Sequence, residues 1–276
     1  MIGQNRILGY IEVLIENNKF PKFSIIKGPK GSGKKTLAKY IGTLLPDCTT
    51  IILDDNKIDT IRKVIADSMR NKGRPTLYII PDADTMSVNA KNSLLKITEE
   101  PPMGTYIIMT LANDYTMLPT LLSRACKMNM DSYLPYELHE YLLSIGMSDK
   151  DFDRIGNFCD VPGEIKTLQS YDIDKFLGFV DLVIDNIAEV EGANAFKIGE
   201  KLALKDEENK FDLALFWKAF SVRCFDRALN VEKKDYLKAI RITGNHLKNL
   251  SATGINKQME FDKWVLDIRQ LWLEED

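Results

Sequence analysis

The segment best equipped for chemistry is Gly28-Pro29-Lys30-Gly31-Ser32-Gly33-Lys34. Its glycines let backbone amides turn inward around an anion, and the closing lysine adds a fixed positive charge. That spacing is a phosphate-binding P-loop, which would set Gly28, Gly31, Ser32, Gly33 and Lys34 against the phosphates of ATP or ADP. The next position breaks the pattern. A working loop carries Ser or Thr there to ligate Mg²⁺, whereas this chain has Lys35, with Thr36 one residue late. One residue along a helix turns a side chain by about 100°, so Thr36 does not substitute. Lys35 adds charge beside the phosphates but ligates no metal.

The acidic half of such a site is altered too. Leu77-Tyr78-Ile79-Ile80 runs into Pro81-Asp82-Ala83-Asp84, with proline where an acidic side chain would hold the metal's water. Asp82 or Asp84 would have to reach the metal instead. The competing reading makes both of them capping groups of a solvated loop. With two defects at one metal, the sequence predicts no intrinsic ATP hydrolysis and no metal ligands. Nucleotide binding, retained or vestigial, stays open.

Other chemistries have little to work with. Cys48, Cys126, Cys159 and Cys224 are widely scattered, no CxxC pair occurs, and His139 and His246 stand far apart. No zinc and no disulfide is expected from that pattern, and buried, inert cysteine is favoured over a cysteine nucleophile.

These residues need elements to hold them. Ile7, Tyr10, Ile11, Leu14 and Ile15 recur at helical spacing, and Phe23–Lys27 reads as a buried strand leading into the loop. Helical periods follow over 36–45, from Ile58 to Met69, and from Ala90 to Ile97. Strands are predicted at 50–53, 76–80, 106–110 and 126–130. Strands alternating with helices argue βαβ units on a mostly parallel sheet. Pro101-Pro102 closes the helix before the fourth strand. Beyond Asp131 the pattern is helical: three short helices from Pro135, with Val161-Pro162-Gly163 breaking before the third, then four or five longer ones with turns near Gly192, Asn209, Asn230 and Gly254. Phe211, Leu213, Leu215, Phe216, Trp217, Ala219, Phe220, Val222 and Phe225 make one helix apolar nearly all round, as a helix buried on several sides would be. Phe261, Trp264, Val265, Ile268 and Leu271 stripe the last one.

At 276 residues, 45% hydrophobic and 28% charged, the chain suits a globular protein of two or three domains. With 37 basic against 40 acidic residues the net charge is -3, so its whole surface is not a nucleic-acid footprint. No apolar run approaches a bilayer span and no signal-peptide core opens the sequence; a cytoplasmic protein is expected.

The order GPKGSGKKTLAKYIG, LYIIPDADTM, NAKNSLLKITEEPP and TYIIMTLANDYTMLPTLLSRACKM resembles the clamp-loader branch of the AAA+ ATPases, and within it the delta-prime family of the bacterial DNA polymerase III clamp loader. Ile2-Gly3-Gln4 is similar to that family's opening, which borders the adenine pocket. In LPTLLSRAC, Ser123 and Arg124 match its Ser-Arg-Cys signature, while Ala125 stands in the cysteine's place. The resemblance implies an α/β AAA+ P-loop domain with a parallel sheet over 1–131, a small helical lid over 132–171 and an all-helical collar for oligomerisation over 172–276. It further implies a non-hydrolysing stator subunit whose Arg124 acts in trans, as an arginine finger on a neighbour's ATP. Thr110 matches the first sensor position, and Lys166 the second, where relatives often carry arginine. ATP or ADP binding is not required by this role, and the family's zinc module has no counterpart. The partners implied are the motor and delta subunits, the sliding clamp indirectly or weakly, and primer–template DNA through the assembled complex. No membrane partner is implied.

Two other functions compete: an ATP-hydrolysing subunit of the same loader, or a nucleotide-regulated binding protein outside replication. For DNA, Lys91 and Lys96 are candidate phosphate contacts, set against a plain solvated helix face.

Overall fold

Parallel pairing follows from runs such as FSIIK and TLYII, whose β-branched and aromatic residues fill a sheet covered on both faces. The computed structural model describes residues 2–70, 74–187, 198, 202, 210–230, 234–250 and 255–273. Among them, β1 (Phe23–Lys27), β2 (Thr49–Ile52), β3 (Thr76–Ile80), β4 (Thr105–Leu111) and β5 (Cys126–Asn129) form a five-stranded sheet of order β2-β3-β4-β1-β5. Every pairing is parallel, and β1 lies between β4 and β5, with Ile25 opposite both Met109 and Lys127.

The chain divides into two compact units, residues 1–141 with 161–163, and residues 142–160 with 164–276. The first is a three-layer module. Helices α1 (Asn5–Glu16) and α2 (Lys34–Leu44) pack Ile7, Ile11, Leu37 and Ile41 onto the sheet face that carries Ile26, Ile79 and Ile108. On the opposite face Ile25, Tyr78, Ile107 and Met109 meet α3 (Ile58–Arg70), α4 (Val88–Ser93), α5 (Leu95–Glu99) and α6 (Pro119–Arg124). The alternation of faces along β1 and β4 is the period-two pattern of a strand. Tyr10, expected on the apolar side of α1, is 51% exposed instead.

The helical period from Ala90 to Ile97 holds two short helices rather than one. Ser87 caps α4 by accepting from the Ala90 amide at 3.2 Å, the helix ends at Leu94, and α5 stops before Pro101. Helix α6 opens on Pro119, whose missing amide hydrogen costs nothing in a first turn.

Helix α7 (Pro135–Ser144) follows β5. Then come α8 (Asp149–Ile155), begun by a reciprocal Ser148–Asp151 capping box, and α9 (Pro162–Gln169), which starts at its proline. Among the described residues, four longer helices, α10 (Ile173–Asn186), α11 (Leu213–Asn230), α12 (Lys234–Leu250) and α13 (Lys257–Leu273), belong to the second unit. The turns expected near Gly192, Asn209 and Gly254 lie outside the described residues. Trp217, Trp264, Phe176, Phe216, Phe220 and Phe261 are fully buried. The Phe220 and Trp264 rings meet edge to face at 5.0 Å, an orientation their quadrupoles favour. Phe225 departs from the expected stripe and is 50% exposed. Between α12 and α13, His246 Nδ1 lies 2.8 Å from Glu260 Oε1 and Nε2 lies 2.9 Å from Asp267 Oδ2. Asn249 donates to the same Glu260 oxygen at 2.6 Å. No helix among the described residues is long and apolar enough to cross a membrane.

Candidate functional site

The loops after β1, β3 and β4 leave the sheet at its carboxyl edge, where open α/β sheets bind ligands. The first is the glycine-rich loop. Gly31 and Gly33 have φ of 83° and 88°, conformations that cost glycine little. Around them the loop is closed on the protein's own groups. The Lys34 ammonium donates to the carbonyls of Gly28 and Pro29, both at 2.8 Å. The Gly31 carbonyl accepts from the Gly163 amide at 3.0 Å and the Ser32 carbonyl from the Tyr133 hydroxyl at 2.8 Å. The Ser32 hydroxyl is buried without a hydrogen-bond partner. Desolvation pulls the Lys34 ammonium below its ordinary range, against the opposing pull of Asp82 and Asp84.

Lys35 and Thr36 are exposed on the first turn of α2. The amides at the start of an α-helix lack intrahelical acceptors, which is the general basis of anion binding at helix amino termini. The metal half does not fit. Lys35 offers no oxygen, and the Asp84 carboxylate already accepts from the amides of Ala112 and Asn113 at 3.0 and 3.4 Å. One oxygen of Asp84, Oδ2, thus caps the amides at the start of the loop after β4. Asp82 is exposed and takes a left-handed φ of 47°. Its amide donates at 3.0 Å to the Thr110 hydroxyl, a buried side chain near the end of β4. The expected first sensor thus ties two sheet loops together.

Arg124 ends α6 with its side chain 30% exposed. One guanidinium nitrogen donates to the Thr120 carbonyl at 2.7 Å, and the other lies 3.2 Å from Glu99 Oε2 at the end of α5. Lys166 is exposed on α9, in the second unit. Lys91, proposed as a DNA contact, is instead 2% exposed. Its ammonium donates to the carbonyls of Thr116 at 2.7 Å and Asp84 at 3.3 Å. A pattern of residue types cannot reveal a lysine whose stem lies in the core while its amine satisfies loop carbonyls. Lys96 is exposed. Burial pushes the thiols of Cys159 and Cys224 up to about 12, which fits inert side chains.

Three site residues escaped the sequence reading. Gly163 lay in a segment marked only as a helix break. Tyr133 and Glu99 carried no signal, since each acts on a residue distant in the chain.

The sheet order, the loop after β1 and the helices on both faces define a P-loop module of the AAA+ type. A family model described as DNA polymerase III, delta subunit, matches residues 43–133. The chain is 35% identical over 72 residues to the DNA polymerase III subunit delta' of Bacillus subtilis, 26% of this chain and 22% of that one. It is 39% identical over 64 residues to an uncharacterised Mycoplasma pneumoniae protein, 22% and 25% of the two chains. The alignments thus span about a quarter of each of these relatives. Among solved structures, a DNA polymerase III gamma subunit-related protein of Thermotoga maritima superposes with a TM-score of 0.52 at 17% identity, covering 95% of this chain and 98% of its own. A Thermotoga maritima RuvB variant gives 0.52 at 15% identity, covering 83% and 76%. At those identities the structures bear on fold alone. The sequence matches are thus to DNA polymerase III delta-type subunits over part of the first unit, and the structural matches show the fold.

Proposed function

We propose that the chain is a stator of the replicative clamp loader. In this role it hydrolyses no ATP itself and completes a neighbouring motor subunit's ATP site with Arg124, so that the sliding clamp is loaded on primed DNA. The observation that carries this reading is a P-loop closed on itself in the same module as a partly exposed arginine. Hydrolysis needs a metal and a positioned water. Lys35 supplies no ligand and Asp84 is engaged elsewhere, which supports a loop without turnover. A guanidinium at the rim suits the charge that develops on a transferring phosphoryl group. Motor and delta subunits are the partners in this reading, with the clamp met indirectly or weakly and DNA met through the assembled complex, in the cytoplasm. Residues 132–171 serve as the lid and 172–276 as the collar.

The test is reconstitution with the motor and delta subunits, comparing clamp- and DNA-stimulated ATP turnover for the intact chain and for Arg124→Ala. Loss of a trans arginine costs about 10³-fold or more at the site it serves, leaving only the turnover of other sites. Unchanged turnover in an intact assembly refutes the role of Arg124. Turnover by the isolated chain, abolished by Lys34→Ala, refutes the absence of hydrolysis.

A further inference from the structure

Arg124 does not project freely. Its guanidinium folds back along α6, one nitrogen on the carbonyl four residues earlier and another against the Glu99 carboxylate. Glu99 is the last residue of α5, held in place by the buried Ile97 and Thr98 beside it and by the Pro101-Pro102 stop beyond it. A carboxylate at a helix's carboxyl end faces the negative end of the backbone dipoles, so a cation there is doubly welcome.

We propose that Glu99 is a positioning residue for the arginine finger, retaining the Arg124 guanidinium against its own module until a neighbour's triphosphate takes the carboxylate's place. The inference rests on the proposed role of Arg124. Carboxylate and phosphate present similar paired oxygens to a guanidinium, so the exchange replaces one anionic partner of the guanidinium with another. The pair is also weak enough to release: the Glu99 side chain is 60% exposed, and water screens it. Glu99 therefore competes with nucleotide for the finger and sets how readily the finger engages before the clamp and DNA arrive.

The experiment uses the reconstituted loader carrying Glu99→Gln, Arg124→Ala or both, with assembly checked by size-exclusion chromatography. Glu99→Gln keeps shape and removes charge. It is expected to raise basal ATP turnover, without clamp or DNA, about two- to fivefold, the span an exposed ion pair covers. The stimulated kcat is expected to be unchanged, and the double variant to match Arg124→Ala alone. Glu99→Asp should restore part of the low basal rate. An unchanged or lowered basal rate overturns the proposal, as does a rise that persists without Arg124. Loss of assembly on Glu99→Gln overturns it too, because Glu99 would then be an interface residue. If Arg124→Ala lowers stimulated turnover while Glu99→Gln changes nothing, only the retaining role of Glu99 falls. If Arg124→Ala changes nothing in an intact assembly, the stator reading falls and the role of Glu99 with it.

Discussion

Gly163 and Gly31 approach so closely that their backbones touch. The Gly163 amide donates to the Gly31 carbonyl at 3.0 Å, and a β-carbon on Gly163 would stand 2.5 Å from the Gly31 α-carbon. Gly163→Ala sits in the first turn of α9, where alanine's helix propensity gains about 1 kcal/mol. The backbone collision costs about 1–3 kcal/mol and wins. The expected outcome is a lower urea midpoint. Gly244→Ala in α12, where an added β-carbon meets nothing within 4 Å, is expected to raise it, stabilising by about 0.5–1 kcal/mol. Equal shifts in both variants would contradict the close contact.

Thr110 and Asp84 hold the loops after β3 and β4, so their loss is expected in stability. Thr110→Val preserves shape and deprives the Asp82 amide of its acceptor; Asp84→Ala uncaps Ala112 and Asn113. Each should cost about 1–3 kcal/mol by denaturant titration. Neither should change the isolated chain's ATP turnover from background, and a measurable rate abolished by Asp84→Ala would restore that carboxylate as a metal ligand.

For DNA, the two lysines once grouped together should separate. Lys91→Met strands the Thr116 carbonyl and is expected to cost about 1–3 kcal/mol. It should leave the salt dependence of DNA binding by the assembled loader unchanged, because a buried amine neutralises no phosphate. Lys96→Met should change stability by no more than about 0.5 kcal/mol. A shallower salt slope for Lys91→Met would refute its structural role.

Acid should loosen the second unit through Glu260. Burial pushes this carboxyl up, but hydrogen bonds from Asn249 and His246, with His246 and Lys263 nearby, outweigh it and hold Glu260 below its ordinary 4.5. A carboxyl depressed on folding stabilises above its unfolded value and gives up that contribution as pH falls through its folded value. Urea midpoints of the intact chain and Glu260→Gln should therefore differ near neutrality and converge well below pH 4.5. A gap that stays constant with pH would exclude the linkage.

Much of the first unit was legible because its signals are local. Strand runs, the glycine loop and the prolines at 101 and 119 each constrain their immediate neighbours, and the five strands fall within a residue of the expected positions. Leu94 shows where local signals fail: the apolar spacing continues through it, although the helix does not. Lys91 shows the same for chemistry, since burial belongs to the whole module. Arg124 stood out through the Leu118–Ser123 context, yet Glu99 lies far upstream and nothing in residue spacing links them. Lys34 was legible as a loop lysine, but its two carbonyl acceptors depend on a loop closure that a linear pattern does not encode.

If the loop turns over no ATP, as proposed, the Lys34 closure also bears on how a hydrolysing loop could be rebuilt by mutation. Lys35→Thr alone would restore a hydroxyl beside an ammonium still bound to Gly28 and Pro29, with Asp84 still committed to two amides. Freeing Asp84 alone would weaken the module and gain no metal. On that reading no single substitution rebuilds a hydrolysing site, because the residue after Lys34, the lysine's own contacts and the acidic loop would have to change together.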